Sequence, residues 1–130
     1  MSKIIDLQYK ESKDGKLIPF DKNTKNIPFK IRRIFYTYDI EPMSKRGGHS
    51  HKIVEELVIA IHGSCKVELE NRSEKNIYIL DSPDKGLYIP PLHWINLYDF
   101  DNCILLVLCS DEYNIEESVS NYEEFKNNHK

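Results

Sequence analysis

Arg46-Gly47-Gly48-His49-Ser50-His51-Lys52, followed by the apolar run Ile53 to Ile61 and the segment His62-Gly63-Ser64, decides how the rest of this 130-residue chain is read. In an extended segment side chains alternate between two faces, so His49 and His51 share one face and Ser50 takes the other. The glycine pair and Arg46 put approachable backbone and a cation beside the two imidazoles. Ile53 to Ile61 is nearly continuous in apolar residues after Glu55-Glu56, the pattern of a strand covered on both faces, and His62-Gly63-Ser64 is expected to turn it.

The flanking segments repeat this style. Upstream, Phe29 to Tyr38 has strong strand propensity, with Arg32, Ile34, Tyr36 and Tyr38 on one face and Ile31, Arg33, Phe35 and Thr37 on the other. Further upstream, Ile4 to Tyr9 and Leu17 to Phe20 flank the turn signal Lys13-Asp14-Gly15-Lys16 and predict a leading hairpin. Downstream, Cys65 to Glu70 alternates apolar with charged residues, and Asn76 to Leu80, Leu87 to Ile89, His93 to Tyr98 and Cys103 to Cys109 continue the series. Asp99 to Asn102 is expected to turn between the last two. Short strands with polar turns imply an all-β sandwich or barrel. Only the tail differs: Ile115, Val119, Tyr122 and Phe125 fit one face of a helix, so residues 111–127 are predicted as a C-terminal helical appendage.

Length limits the chain to one domain, residues 1–130. A net charge of -3, with both signs interspersed, argues against a nucleic-acid binder that works by neutralising phosphates. No apolar stretch is long enough to cross a bilayer and no secretory leader is visible, so a cytoplasmic protein is expected. Cys65, Cys103 and Cys109 are odd in number and lie in apolar strands, which predicts reduced, buried thiols.

His49, His51, Glu56 and Gly63 follow the spacing H-x-H-x(4)-E-x(6)-G, which resembles the first motif of the cupins, small jelly-roll barrels whose motif often holds a metal. The second such motif would place a histidine where this chain has Ile95; His93, two residues earlier, could substitute. A metal set of His49, His51, Glu56 and His93 is thus one reading, and an exposed acid at Glu56 is the reading preferred here.

A closer resemblance covers most of the chain. Arg32 to Asp39, Arg46 to Lys52, Gly63 to Val67, Asp81-Ser82-Pro83 with Gly86 to Ile89, Trp94, Asp99-Phe100 and Val107 to Tyr113 are similar to the sugar 3,4-ketoisomerases of the cupin superfamily. The resemblance implies a cupin barrel that converts a dTDP-linked 4-keto-6-deoxyglucose to its 3-keto isomer without metal or cofactor, in the biosynthesis of a 3-amino deoxysugar for surface glycans such as O-antigen. It implies a homodimer in which the N-terminal strands, residues 1–20, are exchanged. His49 and His51 match the catalytic pair, and Arg33, Tyr38, Arg46 and Trp94 match positions near the substrate cleft. Parity sets Arg33 and Tyr38 on opposite strand faces, and Trp94, Tyr88 and Tyr98 read as packing residues ahead of substrate platforms, since large aromatics serve cores first. The alternatives are a metal-dependent cupin enzyme and a non-catalytic nucleotide-sugar-binding module.

Overall fold

The structure, a computed structural model, describes residues 1–127. Ten strands run in chain order: β1 (Lys3–Asp6), β2 (Lys10–Ser12), β3 (Gly15–Leu17), β4 (Arg33–Thr37), β5 (Arg46–His51), β6 (Glu56–Glu70), β7 (Lys75–Leu80), β8 (Lys85–Ile89), β9 (Trp94–Cys109) and β10 (Ser118–Val119). One short helix, α1 (Tyr122–Asn127), closes the described chain.

The two long strands β6 and β9 pair antiparallel along their whole length and hold the fold together. Near one end of this ribbon β8 and then β1 add beside β6, while β4 adds beside β9. Near the other end β7 adds beside β6, and β5 and then β10 add beside β9. The result is a jelly-roll sandwich of two antiparallel layers that share one bent ribbon. Alternate residues of both layers, among them Val58, Val67, Leu69, Leu87, Ile89, Ile95, Leu105 and Val107, form the apolar interior. A second core lies on the outer side, where Leu57, Ile59 and Leu108 are covered by Ile5, Leu7 and Ile27 from the N-terminal segment. The apolar run therefore does belong to a strand covered on both faces, with residues Leu57 to Ala60 all buried.

That bend corrects two expectations. His62-Gly63-Ser64 and Asp99 to Asn102 do not end strands; both lie within the ribbon, where its register shifts between Ala60 and Lys66. Gly63, Asp99 and Asn102 adopt positive φ (67°, 53° and 47°), so turn-forming residues here make matched bulges. Gly63 has no alternative: a Cβ there would lie 2.2 Å from the carbonyl oxygens of Asp101 and Asn102.

At the N-terminus the expected hairpin is shifted. Ile4 and Ile5 belong to β1, which pairs with β8, whereas the Lys13-Asp14 turn joins β2 to β3 in a small sheet of its own. Every residue of that hairpin is exposed. At the other end the predicted helix over residues 111–127 is largely corrected. Ile115–Glu117 form a 3₁₀ turn capped by the Asn114 side chain, β10 follows, and only Tyr122–Asn127 are helical. The apolar periodicity held for Val119 and Phe125, which bury against Trp94, but Ile115 is 69% exposed. All three cysteines are buried free thiols.

Candidate active site

Between the two layers lies a cavity of about 400 Å³, in the size range of small-molecule sites. Its apolar wall comes from core strands, including Val58, Ile89, Ile95 and Leu105, and its polar groups come from β4, β5, the start of β6 and the C-terminal segment. β5 is bulged between Gly47 and His49, and Gly47 (φ 89°) passes so close to β9 that a Cβ would lie 2.5 Å from the Ile95 carbonyl oxygen. This close passage brings the strand that carries the histidines over the cavity.

His49 and His51 both face it, their ring centroids 4.9 Å apart in an edge-to-face arrangement, while Ser50 is buried on the opposite face. Strand alternation read the pair correctly. His51 is flanked by two carboxylates. Its Nδ1 is hydrogen-bonded to Glu117 Oε1, and its Nε2 lies 3.4 Å from Glu56 Oε1. Burial opposes a charged ring, yet the hydrogen bonds and negative charge of Glu56 and Glu117 outweigh it and raise the His51 pKa above its ordinary 6.5. Glu117 shifts in the complementary direction. Burial would raise its pKa, but hydrogen bonds from His51 and from the backbone of Ile53 and Val54, with the His51 charge, hold it below the usual carboxylate value.

Glu56 corrects the preferred expectation of an exposed acid: it is 7% exposed, and its Oε2 accepts a weak hydrogen bond from the Cys109 thiol at 3.8 Å. Burial, with the nearby Glu56 charge, pushes that thiol up to about 12. Donor atoms of His49, His51 and Glu56 lie within 4.8 Å of one another, close enough to converge on a cation. His93 is not part of this set. It is buried elsewhere, with Nδ1 3.1 Å from the Pro91 carbonyl oxygen and Nε2 3.4 Å from Asn71.

Arg33 and Arg46 supply positive charge to the cavity wall, and neither is in an ion pair among the described residues. The Arg33 guanidinium lies 4.8 Å and 5.1 Å from the rings of Phe35 and Tyr113. The structure does not bring Tyr38 and Trp94 to this wall. Tyr38 is 61% exposed on the outer face of its chain segment, beside Tyr36, as parity requires. Trp94 is buried beneath Tyr122 and Phe125 and serves packing. Tyr88, outside the cavity, donates to Glu55 at 2.5 Å.

Comparison with known proteins resolves the family. The description "FdtA: WxcM-like, C-terminal" matches residues 1–130. A TDP-4-oxo-6-deoxy-alpha-D-glucose-3,4-oxoisomerase from Aneurinibacillus thermoaerophilus is 36% identical over 126 residues, covering 96% of this chain and 90% of the relative. The chain belongs to the sugar 3,4-ketoisomerase family. Two solved family members superpose throughout. WlaRA, a TDP-fucose-3,4-ketoisomerase from Campylobacter jejuni, matches with a TM-score of 0.93 and 35% identity over 99% of this chain and 96% of that one. A variant of the ketoisomerase QdtA from Thermoanaerobacterium thermosaccharolyticum, in complex with TDP-4-keto-6-deoxyglucose, matches with a TM-score of 0.92 and 33% identity over 98% and 93%. The cupin fold of the family extends to an RmlC 3,5-epimerase from Legionella pneumophila at 16% identity and a TM-score of 0.74.

Glu117, the carboxylate on His51 Nδ1, was not among the expected site residues. Glu117 lies 66 positions from His51 in sequence, within an acidic stretch that reads as the first turn of a helix. No local pattern singles it out.

Proposed function

We propose that this chain is an isomerase that converts a dTDP-linked 4-keto-6-deoxyhexose into its 3-keto isomer, with His49 and His51 as the acid/base pair and Arg33 and Arg46 on the diphosphate. The observation that carries this reading is the pair of imidazoles facing one cavity whose wall also holds two guanidiniums with no ion pair among the described residues. A guanidinium offers a planar set of donors suited to a diphosphate.

The chemistry follows from the substrate. The C4 ketone acidifies the C3–H bond. An imidazole removes that proton, the C–H electron pair becomes the C3=C4 double bond, and O4 takes up a proton to give the enediol. Loss of the O3 proton then forms the C3 ketone while C4 accepts a proton. No external oxidant or reductant is needed, since C3 is oxidised as C4 is reduced. Histidine, titrating near neutrality, is suited to both directions of transfer. Binding alone can be supplied by aromatics and amides, whereas two titratable rings on one cavity wall suit proton transfer, which favours the enzyme.

The same reading gives one cupin domain in a cytoplasmic homodimer, ahead of an amino transfer to C3 that yields an amino sugar for surface glycans. In support of the dimer, the exposed β2–β3 hairpin stands as a separate sheet, and among the described residues β4 pairs only with β9 and shows Ile34 and Tyr36 at 59% and 64% exposure. Sedimentation at micromolar concentration is expected to give a dimer, and a monomer would remove that part of the reading.

Incubation with dTDP-4-keto-6-deoxyglucose, followed by NMR of the product, tests the activity. The expected product carries its ketone at C3. An unchanged sugar, or one inverted at C3 or C5 with the ketone still at C4, refutes the proposal.

A further inference from the structure

We propose that Glu117 is a positioning residue for His51: its carboxylate fixes the ring and its tautomer so that Nε2 is the nitrogen presented to the sugar. The inference deepens the isomerase reading and rests on it. It stands on geometry. Glu117 is 8% exposed, and its two oxygens are divided between two tasks. Oε1 meets His51 Nδ1, while Oε2 faces the backbone N–H groups of Lys52, Ile53 and Val54 at 3.0, 3.2 and 3.4 Å. The carboxylate is thus clamped by the stretch of chain that directly follows the histidine.

An ionised carboxylate can only accept, so Nδ1 carries the hydrogen and the lone pair of the neutral ring lies on Nε2. Nε2 faces Glu56 at the longer distance of 3.4 Å, whereas the Nδ1–Glu117 contact is much the shorter, so when the ring loses one proton the Glu117 bond is the one that keeps its hydrogen. A base whose lone pair pointed at Glu117 instead would have no access to a C3 proton.

Delivery of Glu117 depends on the C-terminal segment docking on β5. Ser118 pairs with His51 and Val119 with Ser50, and the Lys52 N–H donates to the Glu117 carbonyl oxygen at 2.8 Å. Beneath this segment Trp94 packs with Val119 and Phe125. The burial of Trp94 and the tautomer of His51 are therefore linked through one short stretch of backbone, which gives Trp94 an influence on the site without any place in the cavity wall.

Glu117→Gln tests the idea because it keeps the shape and changes the donor pattern. The amide oxygen can still accept from the backbone, which puts the NH₂ group beside Nδ1 and makes that nitrogen an acceptor. The neutral ring then carries its proton on Nε2. Turnover is expected to fall about 10²–10⁴-fold, the range for loss of a positioned acid/base group, while KM and TDP affinity stay within about twofold. ¹⁵N NMR of the His51 ring at a pH where it is neutral should show the proton on Nδ1 in the wild type and on Nε2 in the variant. A variant that keeps wild-type turnover overturns the proposal, as does one that loses TDP binding in parallel with turnover. So does a wild-type spectrum with the proton on Nε2, a result that needs no variant to fold. Failure of the underlying reading looks different: the wild type then does not isomerise the sugar at all.

Discussion

The two parts of the cavity wall have opposite electrostatic character. Around His51 two buried carboxylates converge on one imidazole, whereas Arg33 and Arg46 line the same cavity with no ion pair among the described residues. Arg46 is exposed, while Glu56 and Glu117 are buried, so the acidic end is the enclosed one. The difference teaches a division of labour. A group that must take and give protons needs a neighbourhood that holds its tautomer and shifts its pKa, and that requires burial. A group that binds a diphosphate needs unpaired donors within reach of solvent, where a charged ligand arrives.

The sharpest way to break this comparison is His51→Asn. Turnover is expected to drop about 10²–10⁴-fold, with TDP affinity within about twofold by titration calorimetry; equal loss of both would erase the distinction. Arg33→Ala and Arg46→Ala are expected to do the reverse. Loss of a charge-assisted hydrogen bond, about 1.5–3 kcal/mol, corresponds to about 10–150-fold in KM, with turnover at saturation nearly unchanged in steady-state assays.

The carboxylates also set a pH dependence. Because Glu56 and Glu117 hold the His51 pKa above 6.5, the acidic limb of the kcat/KM profile should lie above that pH. Glu56→Gln removes one negative charge and should move the limb down; the other titratable or charged cavity groups, His49, Arg33, Arg46, Glu112, Tyr113 and Glu117, are untouched. Stability follows the same pair. The raised His51 pKa gives a contribution that is full below 6.5 and lost as pH rises through the folded value. The lowered Glu117 pKa gives one that is full above 4.5 and lost as pH falls through its folded value. Thermal unfolding should therefore show the largest deficit of Glu117→Gln between those pH values. The smallest effect belongs to Tyr38→Phe. With its phenol outside the cavity, kinetic constants within about twofold of wild type are expected, and a large drop would place Tyr38 in the site.

How much of this was legible in the sequence depended on whether the signal was local. Alternation put His49 and His51 on one face and Arg33 on the face opposite Tyr38, because a strand's parity is fixed by its own backbone. It could not distinguish a turn from a bend. Gly63, Asp99 and Asn102 are turn formers by type, and only the pairing of β6 with β9 shows that they bulge a continuous ribbon. The acidic tail failed for a related reason. Glu116-Glu117 ahead of Val119 and Phe125 fits the start of a helix, but backbone pairing of Ser118 and Val119 with β5 proved stronger than helical propensity. Glu56 read as exposed because an acid at a strand start usually is, and its burial follows from long-range partners, His51 and Cys109.

The most direct test is exchange of the sugar C3 proton in D₂O, followed by NMR at saturating substrate for the wild type, Arg33→Ala and His51→Asn. The division of labour predicts that the first two exchange at closely similar rates and that His51→Asn exchanges about 10²–10⁴-fold more slowly. Exchange near the wild-type rate in His51→Asn, or a loss of the same degree in saturated Arg33→Ala, would contradict it.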